Sequence, residues 1–161
     1  MNEIIYQPIG IIHTPFKEQK GTPIQPKRGR SIKGTIEVFE EYIDGLDDLD
    51  GFSHIILVYH LHKSEGYKLK VIPYLDNQPR GLFATRAPRR PNSIGLSTVH
   101  LIKIERNIIF VENLDILDGT PLLDIKPYVE PFDRNENVKM GWAEDKANRV
   151  DECDADDRFE K

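Results

Sequence analysis

Three polar loops hold the residues with the types and spacing for chemistry. Arg86, Arg89 and Arg90 fall within the stretch Thr85-Arg86-Ala87-Pro88-Arg89-Arg90-Pro91-Asn92-Ser93-Ile94-Gly95. A guanidinium fork holds a carboxylate or phosphate through two contacts, and flanking prolines lower the ordering cost, so this loop suits anion recognition. Arginines this close repel one another unless an anion or acidic side chains lie between them. Asp115, Asp118 or Asp124 would satisfy them with no ligand at all, and composition weighs the two readings equally. A second loop runs from Gly21 to Arg30 and is stiffened by Pro23 and Pro26; residues 17 to 33 carry a local charge of +5. Such a patch suits a polyanion, or is simply a solvated loop. The third loop, Asp115 to Tyr128, contains Asp118-Gly119-Thr120-Pro121, a turn in which Gly119 is free to take a positive φ.

The histidines leave two readings open. His54, His60 and His62 share one face with Ile56 and Val58 if their run is a strand. His60 and His62 have a spacing that metal sites use, but a third ligand has no adjacent candidate. Histidines bonded to backbone, or one histidine bordering a ligand pocket, account for the same residues. The single cysteine, Cys153, excludes an internal disulfide framework and a Cys-rich zinc site. No Gly-x-Gly-x-x-Gly, no Walker-type phosphate loop and no Gly-x-Ser-x-Gly occurs, which argues against Rossmann methyltransferases, dehydrogenases and P-loop enzymes.

The elements that must carry these loops are strands. Ile4 to Thr14, Lys33 to Phe39, Tyr67 to Ile72 and Gly81 to Thr85 alternate or are rich in β-branched and aromatic residues. His54 to His62 reads as a central strand, and Leu96 to Glu105 with Ile108 to Leu114 as a hairpin about Arg106-Asn107. Only Glu41 to Leu49 offers a helical turn. Many short strands with Pro and Gly between them predict an all-β fold, a single barrel or sandwich. The 161 residues suffice for one domain. The expected division is a β-barrel over 1–143 and a mobile acidic tail over 144–161, which holds −4 of the net −5. No apolar run approaches a membrane span, and the N-terminus lacks the pattern of a secretory signal, so a cytoplasmic protein is expected.

At the same loops the sequence resembles the TsaA-like family, whose characterised members are tRNA methyltransferases. The matching stretches are Pro8 to Phe16, Gly51 to His54, Phe83 to Ser97 and Asp115 to Tyr128, together spread over most of residues 4 to 132. The chain is most similar to the compact archaeal form, without the additional C-terminal domain of bacterial members. The resemblance implies a β-barrel homodimer with tRNA as partner and no role for DNA or a membrane. It also implies S-adenosylmethionine bound outside any Rossmann fold, with no metal. The methyl group is then expected to reach the exocyclic nitrogen of threonylcarbamoyl-adenosine beside the anticodon. Cofactor contacts carry over to Gln25, Pro26, Lys27, His62, Lys63, Arg86 and Leu96, and to the turn Leu117, Asp118, Gly119 and Thr120. Arg89, Arg90 and Lys126 are left for the threonyl carboxylate or tRNA phosphates. His62 and Asp118 are the expected proton acceptors, since the nitrogen must lose a proton as the methyl arrives. A non-catalytic cofactor- and RNA-binding module, or a His-dependent metalloenzyme, are the alternatives.

Overall fold

The computed structural model describes residues 2–25 and 31–160. Strands β1 (Gly10–His13), β2 (Lys33–Val38) and β3 (His54–His60) are followed by a short pair, β4 (Lys70–Val71) and β5 (Arg80–Gly81). Then come β6 (Ile94–Glu105), β7 (Ile108–Glu112) and β8 (Thr120–Pro127). Six of them close a barrel in the order β1-β2-β7-β6-β3-β8, with β8 pairing back onto β1. Every pairing is antiparallel.

Alternation along the strands explains the closure. On β3 the side chains of Ile55, Leu57 and Tyr59 point inward, while His54, Ile56, Val58 and His60 stay on the outer face. Ile12, Ile36, Val99, Ile109, Val111 and Leu122 meet them from the other strands, each wholly buried. Burying each such side chain contributes about 1.5–3 kcal/mol before the opposing entropy. A barrel this narrow is filled by its own side chains, so a ligand has no room inside. Any site must be built on the rim, from the connections.

Several elements differ from the sequence expectation. Only Gly10–His13 of the first predicted strand is paired, and Ile4, Ile5 and Tyr6 stand 74%, 76% and 68% exposed. Gly81 to Thr85 is mostly a single helical turn, Leu82–Ala84. The third loop is shorter than expected, because Thr120–Pro127 forms β8, the strand that closes the barrel between β1 and β3. Its prolines and aspartate hide it; Pro121 and Pro127 occupy its ends, where a missing N–H costs little. The central strand stops at His60, so His62 lies beyond the shared face that its spacing predicts.

Among the described residues, the acidic segment lies along the face between the first loop and the β4–β5 pair, through Ala155 and Phe159. Ala155 exchanges backbone hydrogen bonds with the loop, accepting from Gly21 N at 2.8 Å and donating to Thr22 O at 3.0 Å. Phe159 is buried with Val71, Leu82 and Ala87, and meets Tyr74 edge-on at 4.9 Å between ring centroids. Two apolar residues spaced by four anchor this stretch, and an average over its acidic composition conceals them.

Candidate functional site

A cleft of about 330 Å³ opens on the barrel rim between the ends of β3 and β6, residues 22–25 of the first loop and the start of the third. The local sequence fixes its walls. Past His60 the chain turns through Leu61, whose N–H donates to Ser93 O at 2.8 Å and so holds the end of β3 against the arginine loop. Ser64 Oγ donates to Pro88 O at 3.0 Å across the same junction. The third loop is stitched to the end of β1: Asp118 N donates to Phe16 O at 2.7 Å, Gly119 N to Ile12 O at 2.9 Å, and Thr14 Oγ1 to Ile116 O at 2.7 Å. Gly119 takes φ +75°, the left-handed conformation that the tight turn before β8 requires.

Of the residues predicted from sequence, Gln25, His62, Lys63, Arg86, Leu96 and Thr120 line this cleft, together with Leu117 and Arg90. Arg86 Nη1 donates to Gln25 Oε1 at 2.8 Å, so two loops far apart in sequence meet there. Lys63 Nζ donates to Lys17 O at 2.7 Å. Arg90 Nη1 donates to Thr85 O at 3.0 Å and Ala87 O at 3.2 Å, so part of its guanidinium braces its own loop. Pro26 and Lys27 lie outside the described residues.

The Thr120 hydroxyl donates to Leu117 O at 2.7 Å, and its oxygen lies 3.3 Å from His62 Nδ1. Burial, followed by the charges of Lys63 and His60, lowers the His62 pKa below its usual value. His60, at the exposed end of β3, faces away on the outer surface. Among the described residues no three His, Cys, Asp or Glu side chains are grouped to hold a metal.

Four predicted residues are placed elsewhere. Asp118 does not line the cleft; its carboxylate accepts from Thr14 N at 2.9 Å and pairs with the Lys17 ammonium. The Lys17 hydrogen bond, then that of Thr14 N, holds its pKa below the ordinary carboxylate value. A carboxylate so stabilised clamps the turn and is a poor proton acceptor. Gly119 and Arg89 also lie off the lining. Lys126 is exposed and paired with Asp124 at 2.8 Å, six residues up β8 from Thr120, or roughly 20 Å at 3.3 Å per residue.

One cleft residue was missed as functional. Asp115 lines the cleft, and burial pushes its carboxyl up to about 7, against the opposing effects of a Ser97 hydrogen bond and the Arg86 charge. Sequence offered it only as an ion-pair partner for the arginines. The available signal was its setting, one aspartate between Leu114 and Ile116, both almost fully buried.

Comparison with known proteins fits this architecture. A family model described as tRNA-methyltransferase O N-terminal domain matches residues 11–134. A probable S-adenosyl-L-methionine-binding protein of Pyrococcus abyssi is 53% identical over 156 residues, covering 97% of this chain and 85% of that protein. A mouse tRNA (adenine(37)-N6)-methyltransferase is 35% identical over 144 residues, 85% of this chain but 33% of its own length. Among solved structures, TrmO from Pseudomonas aeruginosa superposes with a TM-score of 0.75 at 34% identity, covering 89% of this chain and 62% of that one.

Proposed function

For a chain that belongs to the tRNA-methyltransferase O N-terminal domain family, we propose methyl transfer from S-adenosylmethionine to the exocyclic nitrogen of threonylcarbamoyl-adenosine beside the anticodon of tRNA. The observation that carries this reading is the rim cleft, where Arg86, Gln25 and Lys63 converge from three connections beside the apolar Leu96 and Leu117. That set fits the cofactor. Arg86 and Lys63 would hold its carboxylate, and the exposed Leu96 with Leu117 would face its adenine. When bound, the cofactor supplies a methyl group on a positively charged sulfur. The chain's own contribution is chiefly to hold the acceptor nitrogen in line at near-attack distance, and to take its proton. Arg90, Arg89 and the exposed Lys126 would meet anions of the substrate, the threonyl carboxylate or phosphates. Asp118 would act through the turn it clamps.

A pair of chains completes the reading. The cleft is open, and Ile94 at its edge is 42% exposed, apolar surface that a second copy would cover. Light scattering that gives the monomer mass of 18.6 kDa at working concentration would contradict this.

The decisive experiment incubates chelator-treated protein with cofactor labelled in its methyl group and tRNA carrying the modified nucleoside. Labelled tRNA is the expected result. Cofactor binding without transfer would establish a binding module instead, and binding that vanishes without metal would establish the metal-dependent alternative.

A further inference from the structure

One polar chain runs through the apolar barrel and ends at the cleft. Tyr59 and Ser97 sit among aliphatic side chains of the core, 6% and 2% exposed. Tyr59 Oη lies 2.9 Å from Ser97 Oγ, and Ser97 Oγ donates to Asp115 Oδ1 at 2.7 Å. A serine has one hydroxyl proton; with that proton on the carboxylate, its oxygen accepts from Tyr59. With Asp115 ionised, donation therefore runs from Tyr59 through Ser97 to Asp115. Gly95 makes room for the start of the chain, because a Cβ there would lie 2.1 Å from Cε2 of the Tyr59 ring. Asp115 is the one carboxylate among the described residues lining the cleft.

Stability alone does not call for this arrangement. Aliphatic residues at the three positions would fill the same volume without the cost of burying two hydroxyls and a carboxylate. Fully satisfied buried chains fix position instead, and each donor favours the charged form of the group at the end.

We propose that Asp115 accepts the proton released by the acceptor nitrogen during methyl transfer, and that Ser97, Tyr59 and Gly95 are positioning residues for it. This rests on the methyl-transfer reading above and identifies the base at that same site. As the nitrogen–methyl bond forms, the methyl–sulfur bond breaks and its electron pair stays on sulfur. The N–H proton passes to the carboxylate, which later loses it to water through the open cleft. A base titrating near the working pH is the most effective acceptor, and burial brings Asp115 to about 7. The ionisable groups set against it are Tyr59 from β3 and Arg86 from the arginine loop. His62 is a weaker base than an ordinary histidine, and Asp118 is held on Lys17 outside the cleft.

The test compares wild type, Asp115→Asn and Ser97→Ala in cofactor calorimetry and in methyl transfer to the modified tRNA. Asp115→Asn is expected to bind cofactor within about threefold of wild type while its transfer rate falls roughly 100- to 10,000-fold. In wild type, kcat/KM should rise with pH through about 7. Ser97→Ala removes a donor that favours the carboxylate, so this rise should move to higher pH, and Ser97→Thr should restore it. In the cofactor-free protein, carbon NMR should place the Asp115 carboxyl titration near 7. Full transfer by Asp115→Asn, an unmoved profile in Ser97→Ala, or an Asp115 carboxyl titrating at its ordinary value each overturns the role. So does a loss of cofactor affinity in Asp115→Asn with an unchanged rate at saturation, which would make Asp115 a cofactor ligand. If wild type transfers no methyl, the reading beneath it fails, and the proton-acceptor role with it.

Discussion

Burial of Asp115 makes a prediction about stability that needs neither cofactor nor tRNA. Unfolded, its carboxyl titrates at the ordinary 3.8; folded, at about 7. The folded chain therefore holds this proton more tightly than the unfolded one. Its contribution to stability is fully present below about pH 4 and is lost as pH rises through about 7. At about 1.4 kcal/mol per tenfold change, the interval corresponds to ~4 kcal/mol. The cleft admits water, and screening reduces the expectation to about 2–4 kcal/mol. Asparagine carries no charge at any pH, so Asp115→Asn removes this dependence while keeping the shape. Urea denaturation of both proteins from about pH 4 to pH 8 measures it directly. Wild-type stability minus variant stability should fall by the stated amount across that range. A difference that stays flat would refute the buried setting of Asp115.

Three further outcomes follow from the same geometry. Arg86→Ala should weaken cofactor binding by about 1.5–3 kcal/mol, the usual size for a hydrogen bond to a charged group, with calorimetry as the readout; an unchanged affinity would remove Arg86 from the cofactor site. Gly95→Ala should destabilise the barrel by roughly 1–3 kcal/mol through the clash with the Tyr59 ring, and Tyr59→Leu in the same chain should recover most of that loss in urea melts. Asp118→Asn should lower stability at neutral pH, and this deficit should disappear on acidification below the ordinary carboxylate range, because the wild-type group then loses its charge and its hold on Lys17.

The strand period made much of the barrel legible. Lys33–Val38, the Ile94–Glu112 hairpin and the central strand alternate plainly, so their inward faces are readable without coordinates. The closing strand was not legible, because Thr120–Pro127 carries two prolines and two charged residues and packs only part of its length. The exposed start of the chain failed in the opposite direction. Ile4, Ile5 and Tyr6 have strand propensity, but no strand among the described residues is paired with them. For the site, residue type and resemblance brought Gln25, His62, Lys63 and Arg86 to one cleft. Adjacency in a turn does not say which way a carboxylate faces; that of Asp118 is bonded to Thr14 N and Lys17. Asp115, three residues earlier, faces the cleft. Tyr59 and Ser97 lie in the inward phase of their strands and so read as core; only the cross-strand register, with Ser97 opposite Leu57 and Gly95 opposite Tyr59, brings their hydroxyls together.

The proposed activity of this cleft is methylation of one already modified nucleoside of tRNA. Nucleoside mass spectrometry after incubation with cofactor carrying an isotopically heavy methyl group tests it most directly. The same tRNA is used with and without the threonylcarbamoyl group. One heavy methyl is expected on threonylcarbamoyl-adenosine and none on tRNA lacking that group. A heavy methyl on any other nucleoside, or transfer that ignores the threonylcarbamoyl group, would contradict it.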